Sequence, residues 1–274
     1  MNPPDNPRIE QEAALHGARW NTVHGGYFSD PAAAATLAAL AVERARRSRP
    51  EVVVDLGGGT GFLLSQLTAA GLDADIARIV LDDSPAQLNA AREAGFAVRR
   101  GSVDTFCRGD LIPDGSRGLY VMRSVLHYAG RRGLRRVLRH IRRQTRPGEF
   151  FVHQTAAFRR KTDADCLNEL YRMMRTDKWY PDTAGLMRAL RAEGWRVEEV
   201  RPAPPLRLDS AELMERYHLQ AGDIRRIRER LSRTPGIPAD VFEAVPDGFR
   251  AYLHYWTWAC TPASGRPAPP LDTP

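Results

Sequence analysis

Val52-Val53-Val54-Asp55-Leu56-Gly57-Gly58-Gly59-Thr60-Gly61 is the stretch on which the fold of this 274-residue chain turns. Three consecutive β-branched apolar residues suit a strand buried on both faces, because a strand with one wet face would alternate. The glycines that follow permit a tight turn and let the backbone approach a ligand at the start of the next helix, which runs to about Ala70. A D-x-G-x-G-x-G loop alone serves several kinds of ligand, nicotinamide and flavin cofactors included.

Outward from this loop the pattern repeats. Ile79-Val80-Leu81 reads as a second strand, Pro85 to about Ala94 as a helix, Phe96-Ala97-Val98 as a third strand and Leu119 to Met122 as a fourth. Arg131 to Arg143 reads as a helix with Leu134, Val137, Leu138 and Ile141 inward and its arginines on a solvated face. A Pro147-Gly148 turn leads to Phe150-Phe151-Val152 as a fifth strand. Thr183 to about Glu193 (helix), Trp195 to Val200 (strand) and the aromatic segment Arg250 to Cys260 (strand) resume the alternation. The expected fold is α/β: a doubly wound, mostly parallel, seven-stranded sheet with a helical N-terminal segment and helical lid insertions.

The additions to that core are also legible. Ile9 to Val23 reads as an amphipathic helix, then a Gly25-Gly26-Tyr27-Phe28 turn. Ser29-Asp30-Pro31 starts a second helix that runs to about Arg47 and is stopped by Pro50. Asp163 to Arg175 and Leu208 to about Arg233 read as inserted helices, and the Pro-rich Thr261 to Pro274 as a disordered tail.

Further motifs follow the glycine loop in order. Asp82-Asp83-Ser84-Pro85-Ala86-Gln87-Leu88 closes the second strand, Arg100-Gly101-Ser102-Val103-Asp104 closes the third, and Arg146-Pro147-Gly148-Glu149-Phe150 enters the fifth. Together, over about residues 50 to 155, these resemble the class I S-adenosylmethionine-dependent methyltransferases of small-molecule type. The resemblance implies S-adenosylmethionine as methyl donor and the following organisation: a helical cap over 1–49, a donor-binding Rossmann-like core over 50–156, a lid insertion over 157–182, the remainder of the core over 183–260 with a helical insertion at about 208–247, and a tail over 261–274.

It also implies roles for particular residues. Asp55 would orient the amino group of the methionine moiety, with Gly57, Gly59 and Gly61 shaping the floor beneath it. Asp82 would accept from the ribose hydroxyls, with Asp83 beside it in the same acidic loop. Ser102 and Val103 would flank the adenine. The family usually has an acidic residue where Ser102 stands, so Asp104 is an alternative. Arg123-Ser124 would line the methionine end.

For the acceptor side the candidates are catalytic His127 and Glu169 and substrate-lining Tyr27, Arg123, His127, His153, Tyr171, Arg172, Trp179 and Tyr180. His127 and His153 follow strands four and five, where the carboxyl edge of a parallel sheet faces the ligand crevice, and a histidine titrates in the range a neutral-pH base needs. Packing or helix capping is the competing account of His127, and packing that of His153. Glu169, Tyr171, Met173 and Met174 share the inserted helix, which reads either as a lid over an apolar acceptor or as plain core packing. The expected reaction is methyl transfer to a small metabolite in bacterial specialised biosynthesis, on oxygen, nitrogen or carbon. A sharper variant is carbon methylation of a prenyl-diphosphate-type substrate, with Arg123, Arg159, Arg160, Arg172 and Arg175 on the phosphates. It fails if those arginines point outward. A protein that binds the donor without methyl transfer is the alternative from another class.

Composition narrows the rest. Hydrophobic content of 43% with 27% charged residues fits an ordinary globular enzyme. No window reaches the ~18 apolar residues that span a bilayer, and Pro31 to Val42 lacks the basic start of a secretory signal, so the cytoplasm and no membrane partner are expected. Cys107, Cys166 and Cys260 show no metal-ligand spacing, so no metal is expected. The net charge of +7 invites nucleic acid, yet Lys161 and Lys178 are the only lysines, a bias that a GC-rich coding sequence produces by itself. Strand four continues as Arg123-Ser124-Val125-Leu126 and not as the Asn/Asp-Pro-Pro-aromatic motif of amino-methylating nucleic-acid enzymes, so no nucleic-acid partner is expected. The N-terminal helices can cap their own site or that of a second copy in a homo-oligomer.

Overall fold

The computed structural model describes residues 23–264; the helix expected over Ile9 to Val23 and most of the expected tail lie outside them. A 3-10 turn, Val23–Ser29, leads into α1 (Pro31–Ser48), where Asp30 accepts from the Ala32 amide at 2.9 Å and proline takes the first helical position. Then follow β1 (Val52–Leu56), α2 (Phe62–Ala69), β2 (Ala77–Asp82), α3 (Pro85–Glu93), β3 (Ala97–Arg100), β4 (Gly118–Arg123), α4 (Gly130–Gln144), β5 (Phe150–Ala156), α5 (Lys161–Met173), α6 (Thr183–Ala192) and β6 (Trp195–Pro202). The chain ends with β7 (Leu206–Asp209), α7 (Ser210–Arg216), α8 (Ala221–Ser232), β8 (Phe242–Val245), β9 (Gly248–Leu253) and β10 (Tyr255–Pro262).

The main sheet has seven strands in the order β3-β2-β1-β4-β5-β10-β6, and β10 runs antiparallel to both its neighbours. Every residue of β1 is buried, as its unbroken apolar run requires. Side chains of α1, α2 and α3 cover one face and those of α4 and α6 the other. On α4 the four apolar residues named above are buried, while Arg135 and Arg139 both reach Glu193 and Arg136 reaches Asp104. The chain works outward from β1 to β3 and returns at β4, so the switch point lies between β1 and β4, where a crevice opens beyond the carboxyl ends of the strands. Asp55, Asp82 and Arg123 all stand on that edge.

Two parts of the chain depart from the expected plan. The segment expected as a helical insertion at about 208–247 is mixed: α7 and α8 pack on a three-stranded antiparallel sheet in the order β7-β9-β8. Its strands are four to six residues long, too short for periodicity to outweigh the helical pattern around them. The Pro246-Asp247-Gly248 turn between β8 and β9 is the signal that marked the hairpin. The single strand expected over Arg250 to Cys260 is likewise two: β9 belongs to the small sheet, and the chain crosses at His254 into β10 of the large one. β10 continues to Pro262, with the Thr261 hydroxyl donating to the Glu149 carbonyl, so the first residues of the expected tail belong to the sheet.

The small sheet, α5, α7 and α8 share a second core with Tyr27 and Phe28, which makes one cap over the carboxyl edge. Among the described residues no helix is long and apolar enough to cross a membrane, and no group of three His, Cys, Asp or Glu side chains is placed to hold a metal ion.

Candidate active site

The loop after β1 is fastened before any ligand arrives. The Gly57 and Gly58 amides donate to the Leu81 carbonyl (2.7 and 3.2 Å), and the Gly59 amide donates to Asp82 Oδ2 (2.9 Å). Gly61 has φ +80, and a Cβ there would sit 2.5 Å from the Phe96 ring, so a side chain is excluded twice. A Cβ on Gly58 would lie 2.6 Å from the Asp55 carboxyl carbon; only a bare backbone passes this close to that acid.

Asp55 is 1% exposed, and neither carboxylate oxygen has a hydrogen-bond partner. Burial, and then the like charge of Asp82, push its pKa up to about 8, against the pull of Arg123. A buried, unsatisfied carboxylate at a sheet edge is costly unless a cation or donor completes it. It therefore fits the ammonium of an amino-acid moiety. Asp82, at the end of β2, accepts from the Gly59 and Ser84 amides, and burial raises its pKa while those bonds oppose the rise. Asp83 is exposed; its charge raises the Asp82 pKa and its backbone hydrogen bond to Asp82 lowers it. Ser102 and Val103 are half-buried after β3. The Ser102 hydroxyl donates to Asp104 (2.7 Å), whose other oxygen is held by Arg136 (2.8 Å), so of these two Asp104 is the one committed elsewhere.

Arg123 closes the edge. Its Nε donates to Gln154 Oε1 (2.9 Å), Nη1 to the Phe28 carbonyl (2.9 Å) and Nη2 to the Tyr27 carbonyl (3.0 Å). Its guanidinium also lies 5.5 to 5.6 Å from the ring centres of Tyr27, Phe28 and Phe62. Positive φ at His24, Gly25 and Gly26 turns the backbone so that Tyr27 and Phe28 reach this clamp. Tyr27 stacks on Tyr255 (5.5 Å) and donates to the Pro204 carbonyl, and the Tyr255 hydroxyl meets Ser124 Oγ at 2.6 Å. Ser124 itself has φ +60, uncommon for a residue with a side chain.

His127 lies in the 3-10 turn Leu126–Ala129 just past β4, 7% exposed and stacked on Tyr180 (5.2 Å, 21°). Its carbonyl accepts from the Trp179 amide, which pins the loop after α5 against the crevice. Tyr180 is held by a two-way bond to Asn168 and meets Tyr171 at 4.9 Å; Trp179 is half-buried against the α4 and α6 side. The structure thus brings Tyr27, Arg123, His127, Tyr171 and Tyr180 to one region. Sequence reasoning missed Lys178, Tyr217, His24 and Tyr255 beside them. Of these only Lys178 carried a signal, as a lysine in an arginine-rich chain.

Three expectations are corrected. His153 lies within β5 and not beyond it: it is fully buried, stacks on Phe151 (4.7 Å) and Trp258 (6.2 Å), and burial lowers its pKa to about 3, so it is a core residue. Glu169 and Arg172 pair with each other on the outer side of α5 at 2.7 Å, and Arg230 joins them. That bond holds the Glu169 carboxyl below its usual range, the opposite of what a base needs, and leaves Arg172 facing solvent. Arg159, Arg160 and Arg175 are also exposed, and Arg123 is spent on Gln154 and the cap, so the prenyl-diphosphate variant fails by its own criterion. A cavity of about 670 Å³ between Arg47, Arg117, Arg142 and Phe150 lies at the opposite, amino end of the sheet and is no part of this site.

Residues 54–153 match a family described as "Methyltransferase domain". Among curated proteins none matches the sequence. Among solved structures the chain is similar to the YcgJ protein of Bacillus subtilis (TM-score 0.64, 14% identity, 84% of this chain and 100% of that one). It is also similar to human N-acetylserotonin methyltransferase in complex with S-adenosylmethionine (0.51, 14%, 94% of this chain and 57% of that one). A third similar structure is the [4+2]-cyclase SpnF (0.51, 14%, 83% and 82%). At such identities the likeness is one of fold.

Proposed function

From a chain whose residues 54–153 form a class I S-adenosylmethionine-dependent methyltransferase domain, we propose that the acceptor is a small molecule enclosed between the carboxyl edge of the sheet and the cap. One observation carries this reading: the completely buried Asp55 carboxylate, at the head of a glycine loop, with both oxygens unpartnered. When bound, S-adenosylmethionine supplies an electrophilic methyl group on a sulfonium. The chain's own residues do the rest. Asp55 accepts from the donor's ammonium, Asp82 from its ribose hydroxyls, and Ser102 and Val103 flank its base. Arg123 draws Tyr27 and Phe28 over the crevice, which excludes water and aligns the acceptor, and alignment is most of what in-line methyl transfer requires. For a hydroxyl acceptor, His127 takes the departing proton, since it stands on the carboxyl edge beside Tyr180.

The test is titration with S-adenosylhomocysteine, followed by turnover of S-adenosylmethionine with candidate acceptors. Saturable binding that is lost in Asp55→Asn, with a melting temperature no lower than that of the native chain, supports the donor site. Unchanged affinity in that variant would sink it. The fold similarity to a cyclase supports a second reading, donor binding without methyl transfer. Stoichiometric formation of S-adenosylhomocysteine with any acceptor excludes that alternative.

A further inference from the structure

The cavity of about 670 Å³ at the amino end of the sheet is lined by Arg47, Arg117, Arg142 and Arg196 and by a single carboxylate, Glu198. Separate elements bring them together. The end of α1 carries Arg47, the turn before β4 carries Arg117, the last turn of α4 carries Arg142 and the start of β6 carries Arg196. The start of β5 and the end of β10 complete the lining.

These charges do not cancel. Arg47 (2.8 Å) and Arg196 (2.7 Å) share the Glu198 carboxylate. Among the described residues Arg117 and Arg142 have no carboxylate partner and are tied to carbonyls. Arg117 Nη1 donates to Ser48 (3.3 Å), and Arg142 donates from Nε to Gly194 (2.9 Å) and from Nη1 to Thr145 (3.3 Å). Glu51, beside the cavity, accepts from the Arg117 amide and not from its guanidinium. The carboxyl ends of α1 and α4 offset only about half a charge each, so the hollow keeps an excess of positive charge. Two of the guanidiniums are steadied by aromatic rings, Arg47 by Phe150 (5.4 Å) and Arg142 by Trp195 (6.0 Å). Coding bias accounts for how many arginines the chain has. It does not account for four of them lining one hollow with one carboxylate.

We propose that this cavity is a second ligand site and takes a polyphosphate, a run of two or three phosphates that is either free or borne by a nucleoside. Guanidinium forks match phosphate oxygens in pairs, and cavities of about 300–1,000 Å³ hold ligands up to nucleotide size. The six residues of β4 set Arg117 about 20 Å from Arg123 at the other edge of the sheet. The polyphosphate is therefore not the methyl acceptor, and the site stands independently of the functional reading above.

The experiment titrates the full chain calorimetrically with inorganic tripolyphosphate, ATP and citrate, a carboxylate anion of high charge. S-adenosylhomocysteine is present to keep ATP out of the proposed donor site; the tripolyphosphate arm stands without it. Tripolyphosphate is expected to bind saturably below about 1 mM and about tenfold more tightly than citrate. Arg117→Gln with Arg142→Gln should weaken it by about tenfold or more. Because Arg142 also holds the Gly194 carbonyl, Arg117→Gln alone, an exposed change, is the second variant and should weaken binding by about threefold with little change in melting temperature. Glu198→Gln removes the one opposing charge and should tighten binding by about threefold, a gain that misfolding cannot imitate. Arg131→Gln with Arg132→Gln, on the exposed face of α4 outside the cavity, should change it by less than about twofold. ATP that matches tripolyphosphate assigns the site to the free polyphosphate, and tighter ATP binding lost with the same arginines assigns it to a nucleotide. No saturable tripolyphosphate binding, equal binding of citrate, affinity that survives loss of Arg117 and Arg142, or an equal drop in the α4 control overturns the proposal.

Discussion

With Asp55 as the proposed partner of the donor's ammonium, donor binding is a proton-linked event. In the free protein burial holds its pKa up to about 8, so below that pH the carboxyl is mostly protonated. An ammonium against it favours the ionised form, so binding must release the proton. Two units below the pKa, at pH 6, ionising the group costs about 2.7 kcal/mol at about 1.36 kcal/mol per unit. The Kd for S-adenosylhomocysteine should therefore tighten by up to about fiftyfold between pH 6 and pH 8 and by about twofold more above pH 8. Near pH 7 about 0.9 proton should be released per ligand bound. Calorimetry in buffers of different ionisation enthalpy reads both quantities at once. Asp55→Asn leaves every other titratable group in place and so isolates the carboxyl: whatever affinity the variant retains should vary little with pH. A flat Kd in the wild type, with no buffer-dependent heat, would refute the argument that an uncompensated Asp55 waits for a cation.

The same acid gives the ligand-free protein a stability signature. Its folded pKa lies above the unfolded value, so stability is fully present below about pH 4 and falls as pH rises toward 8. Asp55→Asn should accordingly raise the melting temperature more at pH 8 than at pH 5, by the equivalent of about 3–4 kcal/mol. Arg123→Met removes the charge that lowers the Asp55 pKa and the bonds to the Tyr27 and Phe28 carbonyls. The midpoint of the binding–pH profile should move upward, and amide hydrogens of Val23–Ser29 should exchange faster. His127→Gln should lower kcat by about a hundredfold or more for a hydroxyl acceptor and leave the Kd for S-adenosylhomocysteine within about twofold; an unchanged kcat would remove it as base. Glu169→Gln with Arg172→Ala should change stability by no more than about 1 kcal/mol, as for other exposed pairs, and leave kcat unaltered.

The placement of the proposed donor half of the site was legible because it is local. Asp55 and its glycines are consecutive, Asp82 ends the next strand, and the parallel sheet aligns strand ends without any long-range contact needing to be known. The acceptor half is assembled from distant segments. His24 meets Glu212 and Arg216 across more than 180 positions, and Tyr27 meets Tyr255 across a similar gap. No spacing rule encodes such pairs. Two failures share a cause as well: Glu169 was chosen for its helix, and His153 for its strand end. One lies on the outer helical face, and β5 runs three residues past His153, so the register of a single turn or strand decided both.

The two halves are joined at Arg123, whose guanidinium is the opposing charge for Asp55 and the hydrogen-bond donor that holds the cap. While Asp55 is protonated, that guanidinium has less to attract it toward the sheet. Once a donor's ammonium ionises Asp55, the ammonium neutralises the new charge and the field at Arg123 changes only modestly. Ionisation of Asp55 with no cation beside it, above pH 8 in the free protein, is the state that pulls Arg123 away from the Tyr27 and Phe28 carbonyls most strongly. Exchange protection of Val23–Ser29 should therefore fall above pH 8 in the free protein, after correction for intrinsic exchange, and be restored by S-adenosylhomocysteine. Protection that is insensitive to both pH and ligand would mean that Arg123 serves the cap alone.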